Sequence, residues 1–398
     1  MKLRIYLTIL QLEGYEPGRF LKWVREHPGI REIEGKKPLV WTPKARMIWV
    51  LARLMWPVSL VWPEWGLVLA ALILSPVERV WRARIKQQTR EKIAMLKAGG
   101  LKVVAISGSY GKTSVKEYLY QCLKRKYRTV RTPESYNTLL GIARVVEMEL
   151  WEDTQIFICE MGAYKKGETG ELSEMVDPDY AMLTGLNEQH LERFGSLENE
   201  ILGESESVKY VLKKGGKGVA NFGNAQVKKW WGGQAGVIGY GEGKYTKPAE
   251  QNSEGAKKMA EVLGVTAREM PKEFEALTHR LNLIRRGGMT IIDDAFSSNT
   301  DGFRAAVEYL KTFPGWKVVV TPGIIDLGGE TGRIHRELGL KMKGIVDQLI
   351  LVGKNERTEA LTAGYGGGEY INRVGEATKI VKETQATILF ENDLPDNY

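Results

Sequence analysis

The apolar run LKVVAI at residues 101–106 feeds directly into SGSYGKTS at 107–114, and this junction constrains the fold more than any other stretch of the chain. Six residues rich in Val and Ile, followed by two glycines, read as a buried strand that ends in a tight turn; Lys-Thr-Ser then opens a helix. Such a turn aims the first amides of the helix at one spot, where an anion is favoured. Gly108, Ser109, Tyr110, Gly111, Lys112, Thr113 and Ser114 are therefore expected to cradle the phosphates of a nucleotide, with the Lys112 ammonium on the phosphates and the Thr113 hydroxyl on Mg²⁺. The pattern is compressed, because the general phosphate loop has a glycine five positions before Gly111 and Ile106 stands there.

From Leu101 onward, strand-like runs alternate with helical patterns: QIFICEM from Gln155, YAMLTGL from Tyr180, GKGVANF from Gly216, then MTIIDDAF, WKVVVTPG and QLILVG. That alternation predicts parallel sheets covered by helices. A helix-like segment at 252–264 closes the first α/β unit. The expected organisation is a helical region over 1–97, a central P-loop ATPase domain over 98–265, and a Rossmann-like α/β domain over 266–398.

The first hundred residues differ in kind. They hold 18 Lys/Arg against 8 Glu, a balance of +10, so the remaining 298 residues sum to −2 of the chain's +8. Seven of the eleven tryptophans also lie there. Residues 1–45 read as short amphipathic helices broken at Gly14, Pro17, Pro28 and Gly35. Two apolar runs follow, 47–62 and 65–77, with Pro63-Glu64 between them and basic residues outside them. Each is shorter than the ~20 residues of a simple spanning helix. The expectation is a hairpin over 47–77 that dips into one leaflet, its basic ends on the cytoplasmic side, with a soluble hairpin packed on the protein as the alternative. Basic charge interleaved with apolar runs argues against a nucleic-acid partner. Two cysteines, Cys122 and Cys159, suit a reducing cytosol, and no export leader is recognised.

A nucleotide site needs a second acidic Mg²⁺ ligand at a neighbouring strand end, and Glu160 in ICEMGA occupies such a place. His190, in LTGLNEQHLERFGS, follows another predicted strand and is a candidate ligand to a second metal.

With these segments quoted, the chain resembles the Mur ligases, the ATP-dependent amide-forming family of cell-wall synthesis. The matching motifs run in the family's order: GSYGKTSVKE at 108–117, TPESYNTLLG at 132–141, EMGAYKKGETGEL at 160–172, TGLNEQHLERFGSLE at 184–198, HRLN at 279–282, IIDDAFSSNTDGFRAA at 291–306 and PGIIDLGGETGRIHRELG at 322–339. The resemblance implies a ligase that uses ATP and Mg²⁺ to phosphorylate a carboxylate. An amine then displaces phosphate, here adding D-alanyl-D-alanine to a muramoyl peptide; the apolar hairpin adds the expectation that this happens at the cytoplasmic face of the membrane. It further implies that Lys112 contacts the β/γ-phosphates, that Thr113 and Glu160 hold one Mg²⁺ and that His190 helps hold the second. Arg280 would be a γ-phosphate or interdomain contact, Asp294 and Asn299 would close over the nucleotide, and Asn137 would lie near phosphates and substrate. His335 remains open between a ligand and a structural residue.

Three departures qualify the resemblance. Where the family has a carbamylated lysine, fourteen residues after the metal histidine, this chain has Glu204; it is expected to supply the same negative ligand, with Glu206 as the other candidate. The stretch 236–256 is shortened, and of the family's nucleotide-contacting motif only Asn252 stays in place. The family's N-terminal UDP-binding domain is not recognisable. Two other readings therefore stand beside the first: a Mur-like ligase with a different amine or a lipid-linked acceptor, and a non-catalytic membrane-associated scaffold.

Overall fold

Short apolar strands and the helices between them build two six-stranded sheets. The computed structural model describes residues 2–26, 39–133, 136–188, 191–243, 245, 248–275, 282–295, 299–325, 327–383 and 385–392. The first sheet contains β1 (Lys102–Ser107), β2 (Thr129–Arg131), β3 (Ile156–Glu160), β4 (Tyr180–Leu183), β5 (Lys217–Asn221) and β6 (Val237–Tyr240). Its order is β2-β3-β1-β4-β5-β6, and every pair is parallel. Alternate residues of β1 serve opposite faces: Val103 and Ala105 enter one core cluster, Val104 and Ile106 the other. Both faces are thus buried under helices, as a parallel sheet requires.

The chain leaves β1 toward β3 on one side and later returns to β4 on the other. A crevice at such a reversal, outside the carboxyl ends of the strands, is where open α/β sheets bind ligands. Register brings Glu160 opposite Ile106, and Leu183 opposite Ser107. The ends of β1, β3 and β4 therefore converge on the glycine turn.

The second sheet contains β7 (Asn282–Arg286), β8 (Met289–Asp294), β9 (Lys317–Thr321), β10 (Gln348–Val352), β11 (Glu369–Ile371) and β12 (Thr387–Glu391), in the order β11-β10-β9-β12-β8-β7. It is parallel except for β7, an edge strand that joins β8 as an antiparallel hairpin through Gly287-Gly288. Two of its helices, Thr331–Met342 and Glu356–Tyr365, cross at glycine: a β-carbon on Gly364 would fall 2.1 Å from the Arg336 carbonyl oxygen, and one on Gly339 would fall 2.4 Å from that of Leu361.

The chain divides into two compact units, one within the first 84 residues and one from Ile85 to Asp393. The first is helical, with Leu7, Leu10, Phe20, Ile48, Leu67 and Ala70 in its core. The predicted hairpin is drawn differently here. Its first run breaks at Met55, giving helices Pro43–Leu54 and Trp56–Val61, and its second continues through Pro76 as the helix Pro63–Ala98. Among the described residues no helix is long and apolar enough to cross a membrane. Of the expected breaks, Gly14 lies between the helices Lys2–Leu12 and Pro17–Glu26, and Pro28 and Gly35 lie outside the described residues.

Candidate active site

The glycine turn after β1 has the geometry of a phosphate cradle. Gly108 and Gly111 have φ of +130° and +85°, which L side chains rarely adopt. At Gly108 space adds a second constraint, since a β-carbon there would lie 2.3 Å from the Thr184 hydroxyl. Gly111 caps the helix Lys112–Leu123 without a side chain, so the first-turn amides of Lys112, Thr113 and Ser114 are not covered by a capping group. The Lys112 ammonium folds over the loop and donates to the carbonyls of Gly108 and, at 3.2 Å, Ser109. Not every amide of the turn faces outward: Ser109 N–H donates to the Gly185 carbonyl at 2.8 Å and Gly108 N–H to Glu204 Oε2 at 3.0 Å. The amides of the turn not engaged in this way are those of the first helical turn, and Gly108 and Ser109 form the wall behind them.

Two buried carboxylates stand against that wall. The helix Leu197–Glu204 presents Glu200 and Glu204 one turn apart, both fully buried. Glu200 accepts from Ser109 Oγ at 2.8 Å. Burial pushes the Glu204 carboxyl up to about 7, against the opposing pull of Lys112 and the Gly108 amide. Its Oε1 has no hydrogen-bond partner among the described residues. Glu206, the other candidate, is engaged elsewhere: it accepts from the amides of Gly167 at 2.7 Å and Gly170 at 2.8 Å, at the start of the helix Glu168–Val176. Its carboxylate thus caps the first turn of that helix.

Glu160, at the end of β3, is 1% exposed and forms a 3.0 Å ion pair with Lys116, which is fully buried. Asn137 Nδ2 donates to its other oxygen at 3.2 Å. Glu160 and Asn137 are thus brought together as expected. Lys116 is an addition that sequence reasoning missed, although it stands one helical turn after Lys112. Asn252 also reaches the loop: its Oδ1 would be 3.0 Å from a β-carbon on Gly111.

A polar chain ties the loop to the helix Thr300–Lys311 that follows β8. Asn187 N–H donates to Ser109 Oγ at 3.3 Å, and Asn187 Nδ2 donates to Asn299 Oδ1 at 2.6 Å. Asn299 caps that helix by accepting from Gly302 N–H at 2.9 Å. Tyr110 lies across Gly185 and receives a bond from Asn224 Nδ2 at 3.1 Å, while Asn187 Nδ2 also donates to Asp301 Oδ2 at 3.5 Å. Burial raises the Asp301 carboxyl above its ordinary range and, with the nearby Asp301 charge, raises the Tyr110 phenol as well. Asn187, Asn224 and Asp301 were not singled out from the sequence. Asp294 ends β8, where its carbonyl accepts from Asn392 N–H at 3.2 Å. His190 and Arg280 lie outside the described residues, and among the described residues no group of three His, Cys, Asp or Glu side chains is arranged to hold a metal.

His335 resolves as structural. It is fully buried, its Nε2 accepts from Ile324 N–H at 2.8 Å, and its Nδ1 lies 2.7 Å from the Thr331 carbonyl, to which it donates as the neutral tautomer. Burial lowers its pKa to about 4. Because the folded value lies below the ordinary 6.5, folding stability from neutral His335 is complete above that pH and is lost as pH falls toward 4. The full loss is about 3 kcal/mol. Urea unfolding midpoints compared at pH 7 and pH 4.5 are expected to fall less in His335→Gln than in the parent.

The comparisons agree with this architecture. Residues 106–275 match the Mur ligase middle domain, and residues 279–393 match the Mur ligase glutamate ligase domain. Among curated relatives, the UDP-N-acetylmuramoyl-tripeptide–D-alanyl-D-alanine ligase of Bacillus subtilis is 25% identical over 299 residues, 66% of this chain and 65% of that one. The Escherichia coli enzyme of the same name is 25% identical over 314 residues, 68% of each. This chain thus spans about two thirds of the length of such relatives. Among solved structures, MurF from Acinetobacter baumannii superposes with a TM-score of 0.69 at 24% identity, covering 78% of this chain and 77% of that one. MurF from Thermotoga maritima in complex with ADP superposes with a TM-score of 0.68 at 22% identity, covering 78% and 80%.

Proposed function

This chain belongs to the Mur ligase family, and on that premise we propose that it is an ATP-dependent amide ligase that adds D-alanyl-D-alanine to a UDP-muramoyl tripeptide. The observation that carries the reading is the convergence of Lys112, Thr113, Glu160 and Glu204 on one glycine turn, tied through Asn187 to the start of the Thr300–Lys311 helix. A carboxylate oxygen of the acceptor attacks the γ-phosphorus of ATP and ADP departs. The amine nitrogen then attacks the acyl carbon of the acyl phosphate, inorganic phosphate leaves, and the nitrogen gives up a proton. Lys112 and the first-turn amides neutralise charge on the transferring group. Asn252, Arg280, Asp294 and Asn299 are assigned to the nucleotide, and Asn137 to the substrate side.

The residues fit divalent cations. Glu204 keeps a buried carboxylate oxygen without a described partner, and Glu160 and the Thr113 hydroxyl flank the same loop. Thr113 and Glu160 would hold one Mg²⁺, and His190 and Glu204 a second. Bound Mg²⁺ would offset phosphate charge. Glu204→Ala is expected to raise the Mg²⁺ concentration needed for half-maximal turnover; parent-like activity at low Mg²⁺ would remove Glu204 from the ligand set.

The deciding experiment incubates the protein with Mg²⁺-ATP, UDP-muramoyl tripeptide and D-alanyl-D-alanine. Phosphate release and product mass are followed together. A dipeptide-sized mass gain with matching phosphate supports the reading. A gain with another amine or a lipid-linked acceptor supports a sister ligase, which the apolar exterior of the N-terminal unit favours. Nucleotide binding without turnover on any of these supports the scaffold. We propose further that the reaction runs at the cytoplasmic face of a membrane, a reading that the same exterior supports.

A further inference from the structure

Of 27 large hydrophobic side chains exposed among the described residues, 16 fall between Val40 and Trp81. That is a tenth of the chain, so the concentration is a property of one surface. The helix Pro63–Ala98 explains it. From Trp65 to Val77 it carries no charged residue: Leu67, Val68, Ala70 and Ala71 enter the core of the N-terminal unit. Trp65, Leu69, Ile73, Val77 and Trp81 recur at four-residue steps on the outside, flanked by Leu72 and Val80. The stripe is about 24 Å long. The helix Pro43–Leu54 repeats the arrangement with Met47, Val50 and Leu54, and Leu60 on the next short helix is 75% exposed. An outward apolar face on a helix whose inner face is already buried needs a second apolar phase.

The charges select the phase. Arg46, Arg53, Arg79 and Arg84 are exposed around the stripe, and Glu78 is neutralised by Lys44 at 2.7 Å. Two copies of this face laid together would set like charges against each other. Anionic headgroups would complement them, with tryptophan at the level where its ring favours the interface. We infer that the N-terminal unit is an interfacial anchor: it seats the Trp65–Trp81 stripe and the Leu54–Leu60 corner in one leaflet of an anionic bilayer, held without a spanning helix. This deepens the membrane placement above and does not depend on the ligase chemistry.

Flotation of the full chain with vesicles of phosphatidylcholine alone, or with phosphatidylglycerol added, tests it. Binding is expected to both, more strongly to the anionic vesicles, with a blue shift of tryptophan emission. Leu60→Glu with Val80→Glu, both at exposed sites, is expected to weaken partitioning about tenfold or more. Arg79→Glu with Arg84→Glu should weaken it about fivefold per charge on anionic vesicles only. The inference is overturned if the parent floats with neither vesicle, if the Leu60/Val80 pair floats like the parent, or if that pair instead dissolves a lipid-free dimer, which would assign the face to a second copy. Turnover on soluble substrates, measured on the same preparations, reports the ligase reading separately.

Discussion

Lys112→Ala is expected to lower ATP-dependent turnover by about 10²–10³-fold or more while leaving the unfolding midpoint close to that of the parent. The two halves of this expectation have separate causes. Lys112 is partly exposed and its bonds go to two loop carbonyls, so its removal strands no buried partner that water could not serve. Its charge, however, stands at the start of the helix where phosphate charge would gather, beside uncapped amides that cannot replace an ammonium. Loss of that charge also withdraws a cation that favours ionised Glu204, so the defect should reach the metal requirement as well. Lys112→Arg is expected to recover little, because a planar fork does not fit a cradle shaped around a point charge. Phosphate release and product mass measured beside urea unfolding would decide it. Parent-like turnover in Lys112→Ala would sink the phosphate-loop assignment.

Much of this architecture was legible because the strands that matter are apolar on both faces. LKVVAI, QIFICEM and WKVVVTPG lie in sheet centres, and their composition shows it. Most of the strands that were missed are short or at edges; β12, five residues paired on both sides with β8 and β9, is the exception. β2 and β11 have three residues each, too few for any period to emerge, and β7 is an antiparallel edge carrying two arginines. The N-terminal helices were legible as apolar runs, but not their ends: proline normally breaks a helix, yet Pro76 sits within Pro63–Ala98.

Placement around the glycine turn was legible where a residue stands at a fixed spacing from it, as with Lys112, Glu160 and Asn137. It was not legible where a side chain acts through a fold contact. Glu200 and Asp301 are ordinary helix carboxylates in sequence, and only packing brings them to Ser109 and Tyr110. Lys116 and Glu200 did carry a faint signal, each one helical turn from a residue already chosen. Glu206 shows the reverse error, since nearness in sequence to Glu204 did not place it on the loop.

The buried pair Glu160–Lys116 carries the other large effect, and it separates stability from chemistry. Glu160→Ala leaves a fully buried ammonium without its 3.0 Å partner and is expected to cost about 3–5 kcal/mol. It should also abolish measurable turnover, since no other described carboxylate ends a strand beside Ile106. If the pair served only to fill the core, Glu160→Leu with Lys116→Met would restore both properties, because apolar residues of similar size replace buried ion pairs at little cost. The expectation differs: the double variant regains most of the lost stability and none of the turnover. Lys116 then acts as the counter-charge that lets a carboxylate wait, buried, at the phosphate loop. Recovery of turnover in the double variant would instead make Glu160 a core residue and leave the loop without its strand-end acid. Urea unfolding and phosphate release on the two single variants and the double one, read as a cycle, distinguish these outcomes.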